Sequence, residues 1–124
     1  MLTIRPEQMA ALERHMLQQF ENRLRTQLVR TWPDECRVLG EQGVRASIHE
    51  GLRKAAGYGI DAEYDVARFI HVMYALGHEF DTDPAYPWAA QILRDEHAQP
   101  TERMDQLCAR TEQELGGTGT ETEG

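Results

Sequence analysis

Two histidines are spaced so that both rings could lie on one side of a helix. His71 and His78 are seven residues apart, which is about two helical turns. A catalytic zinc ion needs three protein ligands, and the sequence has no His-Glu-x-x-His spacing. We therefore interpret His71 as a histidine of the core or of its boundary, and we expect no metal site.

The acidic run Asp81-Thr82-Asp83 superficially resembles the start of a calcium-binding loop. Ala85 stands where such a loop needs another oxygen ligand, and the glycine and distal glutamate of the loop are missing. Asp83 directly precedes Pro84, and an acidic N-cap followed by proline is a common start of a helix. The sequence therefore favours a helix start over a calcium site.

The remaining reactive side chains form no catalytic motif in the sequence. Cys36 and Cys108 have no metal or redox spacing, and Cys36 would need a base brought close by the fold to act as a nucleophile. We expect two reduced thiols, with a single disulfide between them as the alternative. The chain has neither a phosphate-binding glycine loop nor a Gly-x-Ser-x-Gly elbow. We therefore expect a protein that is not an enzyme and uses no cofactor.

The cluster Tyr86-Pro87-Trp88, just after the acidic run, is a stronger functional lead. Aromatic side chains beside rigid prolines are good anchors for a protein partner. The alternative is that Trp88 closes the bottom of a small helical core. A polar stripe on the first predicted helix is either solvated or directed at a partner. The candidate partner-binding residues are Arg14, Arg25, Asp81, Asp83, Tyr86 and Trp88.

Apolar periodicity predicts that helices carry these residues. Steps of three and four residues place one set of side chains on a single face of a helix over residues 6–32. That set is Met9, Leu12, Met16, Phe20, Leu24 and Leu28. Further helices are predicted over 33–39, 41–58, 62–76, about 87–97, and from Pro100 onward. The expected core residues of these helices are Val44, Ile48, Leu52, Ala55, Val66, Phe69, Ile70, Met73, Leu76, Met104, Leu107 and Cys108.

Three glycines are predicted to separate the helices. Gly40 ends the short second helix, and Gly77 ends the fourth. Gly59 adopts a left-handed conformation, Ile60 supplies the apolar contact beyond it, and Asp61 caps the next helix. We expect a tight corner between antiparallel helices at this point.

The predicted fold class is all-α: a small single-domain helical bundle of about five to six helices with a long N-terminal helix. A chain of 124 residues has the length of one domain. We expect a helical domain over residues 1–115. Residues 116–124, a Gly/Thr/Glu tail without apolar side chains, are expected to be disordered.

Charge excludes some functions and divides the chain unevenly. The net charge of −8 argues against a general nucleic-acid binder and against electrostatic attachment to anionic lipid. Residues 1–58 carry +2 and residues 59–124 carry −10. This segregation favours an acidic face that attracts a basic partner, unless the fold mixes the two halves. The first seven residues contain no apolar signal core, and no run of apolar residues suffices to span a membrane, so we expect a cytoplasmic protein.

Several runs of the sequence resemble one family. These are Ala56-Gly57-Tyr58-Gly59-Ile60-Asp61, Asp65-Val66-Ala67-Arg68-Phe69-Ile70, Leu76-Gly77, Phe80-Asp81-Thr82-Asp83-Pro84 and Pro87-Trp88-Ala89, together with Leu2-Thr3-Ile4-Arg5-Pro6-Glu7-Gln8 and Cys36-x-x-Leu39-Gly40. Over residues 2–95 the chain resembles small all-helical accessory proteins of bacterial type VI secretion effector gene clusters. The resemblance implies a partner of the adaptor chaperones that load toxic effectors onto the secretion spike, and it implies no catalytic residue.

Three functional hypotheses follow. The first is a non-enzymatic co-chaperone that binds an adaptor chaperone and helps to deliver an effector. The second is an immunity protein that uses its acidic charge to cover the basic site of a toxin. The third is a small helical transcriptional regulator, although the helix after Gly59 carries Arg68 as its single basic residue beside Glu63 and Asp65. The oligomeric state stays open.

Overall fold

The computed structural model describes the backbone of residues 6–123 and the side chains of residues 13–116. Within these residues the fold is all-α, as predicted, with five helices and no strand. The helices are α1 (Pro6–Thr31), α2 (Pro33–Gly57), α3 (Glu63–Leu76), α4 (Pro87–Leu93) and α5 (Pro100–Glu123). A search of the described helices finds none with the length and apolarity to cross a membrane.

The chain divides into two compact units, residues 1–48 and residues 49–124. The single helical domain expected over residues 1–115 stays a prediction. The disordered tail expected over residues 116–124 also stays a prediction. The side chains of residues 117–124 lie outside the described residues.

The first unit is built on α1, which buries Phe20, Leu24 and Leu28. These residues confirm the C-terminal half of the predicted apolar stripe. The prediction of Met16 as a core residue is wrong, because its side chain is 51% exposed. The side chains of Met9 and Leu12 lie outside the described residues.

A bend at Gly40 divides α2 and reverses the chain. Gly40 has φ 75° and ψ 169°, a backbone conformation that strains any residue with a Cβ, so the predicted helix end at Gly40 is confirmed. Arg25 pairs with Glu41 at 3.4 Å and Arg45 pairs with Glu21 at 3.3 Å. The order of these pairs shows that the residues after Gly40 run antiparallel to α1.

The predicted corner at Gly59 is present. Gly59 has φ 77°, its N–H donates to Ala56 O at 2.9 Å, and the N–H of Ile60 donates to Ala55 O at 2.8 Å. This is the Schellman pattern, and Ile60 is fully buried as its apolar contact. The prediction of Asp61 as N-cap is wrong: the residue at that position is Ala62, whose side chain cannot cap, and Ala62 O accepts from Val66 N–H at 2.9 Å.

The core of the second unit surrounds α3. The predicted core residues Val66, Phe69, Ile70, Met73 and Leu76 are all buried. The ring of Phe80, from the loop after α3, lies 5.2 Å from that of Phe69. Helix α5 packs against α3 and α4, and it buries Met104 and Leu107 as predicted. The predicted inward residues Leu52 and Cys108 are only half-buried.

Helix α4 is shorter than predicted and begins later than Asp83. Asp83 Oδ1 accepts from Ala85 N–H at 2.9 Å, so its side chain stabilises a turn and the predicted N-cap role is wrong. The helix starts at Pro87 and ends at Leu93, not near residue 97. Asp95 accounts for the early end, because Asp95 Oδ1 accepts from His97 N–H at 3.0 Å and holds a local turn.

Candidate functional site

Tyr86 and Trp88 form an aromatic pair at the start of α4. Their ring centroids are 5.7 Å apart and the rings meet edge to face at 67°, an arrangement that aromatic pairs favour. Both side chains are half-buried, and Pro87 fixes the backbone between them as the first residue of α4. The pair is therefore an apolar surface with a restricted backbone, and solvent still reaches part of it.

Arg110 of α5 lies over this pair, a contact that the sequence did not predict. Its guanidinium carbon is 5.0 Å from the centroid of the Trp88 ring, a cation–π distance. Its polar contacts are long, at 3.4 Å to Gln113 Oε1 and 3.8 Å to Glu114 Oε1, and its side chain is 43% exposed. We call Tyr86, Trp88 and Arg110, together with their neighbours Asp83 and Glu114, the α4–α5 surface.

Asp81 is not available to a partner at this surface, because its carboxylate is buried and already bound. Its side chain is 7% exposed, Lys54 Nζ lies 3.2 Å from Oδ1, and Tyr58 Oη donates to Oδ2 at 2.7 Å. Lys54 also donates to the backbone oxygen of His78 at 2.6 Å and pairs with Glu79 at 3.1 Å. Asp81 therefore joins α2 to the loop after α3. Asp83, by contrast, is partly exposed in the turn that leads to Tyr86.

The buried hydrogen bond to Asp81 changes the acidity of Tyr58. Burial, followed by the hydrogen bond to the Asp81 carboxylate and its negative charge, raises the pKa of Tyr58 from 10.0 to about 12, and nearby Arg94 opposes the shift. A phenol with so high a pKa is a poor proton donor or acceptor at neutral pH. The cluster is therefore suited to stabilising the fold and not to acid–base catalysis.

A second arginine–aromatic contact lies within α3, and hydrogen bonds connect its arginine to α5. The Arg68 guanidinium carbon is 4.6 Å from the ring centroid of Tyr64. Arg68 donates to Asp65 at 2.9 Å and to Asp105 at 2.8 Å, and Thr101 Oγ1 donates to the other oxygen of Asp65 at 2.8 Å. Burial acts to lower the pKa of Arg68, but the hydrogen bonds to Asp65 and Asp105 outweigh it and raise the pKa. This arginine is fixed in place.

The reactive side chains near these clusters are not activated. Burial raises the pKa of the Cys108 thiol even though the charge of Arg68 acts to lower it, so the thiol stays protonated at neutral pH. Burial lowers the pKa of His71. No disulfide joins Cys36 and Cys108. Among the residues that the structure describes, no group of three or more metal-ligating side chains comes together.

Arg25 and Arg14 belong to the first unit. Arg25 lines an open cleft of about 430 Å³ beside the Gly40 bend, where it pairs with Glu41. The other lining residues are Thr26, Val29, Cys36, Gly40 and Val44. Arg14 lies nearer the start of α1 than Arg25, and its side chain is exposed. The cleft has an apolar floor and a neutralised rim, and it contains no pair of groups arranged for catalysis.

All of the excess negative charge of the chain lies in the second unit. Residues 49–124 contain fifteen acidic and six basic side chains, whereas residues 1–48 carry a net charge of +1. All six cations lie in the described region and contact groups of the same unit: Arg53, Lys54, Arg68, Arg94, Arg103 and Arg110. Arg103 is bound by backbone oxygens alone, including Tyr58 O at 2.9 Å and Ala98 O at 3.3 Å. The unit therefore presents an excess of negative charge.

Sequence reasoning identified Tyr86, Trp88 and Asp83 but missed Arg110 and Lys54. Nothing in the sequence links Arg110 to a tryptophan twenty-two positions earlier, because only the packing of α5 on α4 brings them together. Lys54 did leave a signal. It is the only lysine in the chain, and it precedes Tyr58 by four residues, the spacing of neighbours on one face of the helix predicted over 41–58.

The fold and its sites define a small all-α protein with an aromatic surface and without an evident catalytic centre in the described residues. Comparison of the chain with protein-family models, with curated proteins and with solved structures finds no significant match. The family resemblance drawn from the sequence therefore stays a prediction.

Proposed function

We propose that the protein is a non-enzymatic accessory protein that binds another protein through the α4–α5 surface. In its specific form, the proposal is a co-chaperone that binds an adaptor chaperone and helps to load or deliver a type VI secretion effector. The observation that carries the binding role is the half-buried, edge-to-face pair of Tyr86 and Trp88. The resemblance over residues 2–95 supplies the partner.

The chemistry of the surface supports binding. Tyrosine, tryptophan and arginine are the residues most enriched at the energetic centres of protein interfaces, and here all three lie together. Because Pro87 and the mutual packing of the rings already restrict both aromatic side chains, binding would cost little further conformational entropy.

Co-purification tests this proposal. The tagged full chain is expressed with the adaptor chaperone encoded beside its gene, and a stable complex is expected on size-exclusion chromatography. Deletion of the gene is expected to reduce secretion of the effector while the effector is still synthesised. No complex together with unchanged secretion would refute the co-chaperone role.

An immunity role is the second candidate, favoured by the acidic surplus of residues 49–124. Acidic inhibitors gain association rate from electrostatic attraction to basic toxin sites. This alternative predicts that the protein alone protects cells that express the neighbouring toxin. A transcriptional regulator receives less support, since Arg68, the basic residue of α3, is held by Asp65 and Asp105 and would have to leave both to contact DNA.

A further inference from the structure

Three features of the molecule are candidates for binding a ligand or partner. They are the cleft beside Gly40, the exposed Tyr64 with Arg68, and the α4–α5 surface. The rim of the cleft is neutralised by the Arg25–Glu41 pair, so its charge selects no occupant. Tyr64 is 70% exposed, but the arginine beside it is bound on both sides by carboxylates. The α4–α5 surface differs because its arginine is loosely held and its surroundings have a definite charge.

We infer that the α4–α5 surface binds a basic protein segment that carries an apolar anchor residue. This inference deepens the proposed binding function and rests on it. The anchor packs against the exposed parts of Tyr86 and Trp88, and lysine or arginine residues on either side of it contact acidic groups. The segment is recognised by this combination of apolar and basic side chains, whichever protein contains it.

Charge complementarity determines the sign of the charge that the bound segment carries. Residues 49–124 have nine more acidic than basic side chains, and the basic ones are engaged within the unit. Two acidic residues lie next to members of this surface: Asp83, whose backbone oxygen accepts from Tyr86 N–H at 2.9 Å, and Glu114, whose carboxylate is 3.8 Å from Arg110. An approaching acidic segment would meet this field unfavourably, whereas a basic one is attracted to it.

Arg110 determines where the bound segment lies on the α4–α5 surface. Its guanidinium already covers the Trp88 ring, and among the described side chains its carboxylate contact is the 3.8 Å one to Glu114. A basic residue of the partner can take over Glu114, after which Arg110 remains on the indole as part of the interface. The apolar anchor then occupies the rest of the aromatic pair, where displacement of water from the rings contributes to the affinity.

The test uses the full chain and three synthetic peptides. The first has a leucine-rich centre flanked by lysines, the second replaces the lysines with glutamates, and the third replaces the leucines with serines. Binding is measured by tryptophan fluorescence in a Trp32→Phe background, so that Trp88 is the only reporter, and is located by amide chemical shifts in NMR spectra. We expect the first peptide alone to bind, with shifts concentrated at residues 83–88 and 110–114, and to weaken as salt is added.

Matched variants assign the binding to the surface. By NMR titration, Trp88→Ala is expected to weaken binding by about 30-fold or more, the loss typical of an aromatic interface centre. Tyr64→Ala removes the other arginine-covered aromatic ring and is expected to leave affinity unchanged. Trp88→Phe keeps an aromatic ring and is expected to lose less than Trp88→Ala, which separates binding from folding if the alanine variant is unstable.

Several results would overturn the inference. These are equal binding of the glutamate peptide, equal affinity of Trp88→Ala and wild type, or a concentration-dependent dimer that Trp88→Ala dissociates, which would assign the surface to a second copy. The two proposals also fail differently. If the lysine peptide binds as expected but no adaptor chaperone is captured, the co-chaperone role fails alone. If the chaperone binds Trp88→Ala as well as wild type, the inference fails alone.

Discussion

Residues 49–124 contain the same contact twice, an arginine over an aromatic ring, in two different states. Arg68 lies over Tyr64, is 17% exposed and binds two carboxylates at 2.8 and 2.9 Å. Arg110 lies over Trp88, is 43% exposed and has its carboxylate at 3.8 Å. The first contact ties α3 to α5 through a buried aspartate. The second holds Arg110 and Trp88 in position, and both side chains stay partly exposed.

The difference shows that residue types alone do not separate structural from functional clusters. Tyr64 is far more exposed than Trp88, so exposure by itself would select Tyr64, whereas the proposed binding surface contains Trp88. The partners of the arginine separate the two cases: carboxylates bind the two terminal nitrogens of Arg68 at short distances, as expected of a cluster that stabilises the fold. The following variants test that distinction, beginning with the largest expected effect.

Arg68→Ala should be strongly destabilising, because Asp65 is only 2% exposed and would lose its ionic partner. Removing one member of a buried ion pair costs about 3–5 kcal/mol, and we expect a loss near the lower end since Thr101 still donates to Asp65. Urea unfolding followed by circular dichroism measures the loss. A stability equal to that of wild type would show that Arg68 is as loosely held as Arg110.

Tyr58→Phe should destabilise by about 1–2 kcal/mol, because Asp81 loses a buried hydrogen-bond donor. Since folding raises the pKa of Tyr58 to about 12, its contribution is fully present below pH 10 and is lost as the pH rises through 12. The wild type should therefore lose stability over this window more steeply than the variant. Tyr64→Phe is the matched control, and an equal change in its alkaline unfolding would contradict the assignment to Tyr58.

Arg110→Ala should have the smallest effect on stability, below about 1 kcal/mol, because its ion pair is exposed and long. Added salt should reduce this difference further, whereas the effect of Arg68→Ala should persist in salt. Thermal unfolding at low and high salt provides the comparison. A loss as large as that of Arg68→Ala would mean that the α4–α5 surface is part of the fold and is not available to a partner.

Local sequence signals predicted much of the helical framework. Gly59 and Ile60 specify their corner through backbone geometry that few residues tolerate, and the apolar spacing of α3 specifies its buried face. Errors arose where a local competitor or a tertiary contact decides the outcome. Asp83 and Asp95 direct their carboxylates to nearby backbone N–H groups and form turns where helix was expected.

The candidate site was predicted only in part for the same physical reason. The order Tyr86-Pro87-Trp88 fixes a rigid aromatic pair, so its position could be found from the sequence. Whether a carboxylate faces solvent depends on which cation the fold brings to it. Asp81 and Asp83 are two residues apart, yet their surroundings differ. Asp81 is buried against Lys54, whereas Asp83 lies in an exposed turn.

The burial of Lys54 has a practical consequence for chemical labelling. It is the only lysine in the chain, its side chain is 9% exposed, and three oxygen acceptors surround its amine. Amine-reactive dyes require an accessible amine, so under native conditions they should spare this side chain. Reaction at Lys54 would then report the opening of the Asp81 cluster.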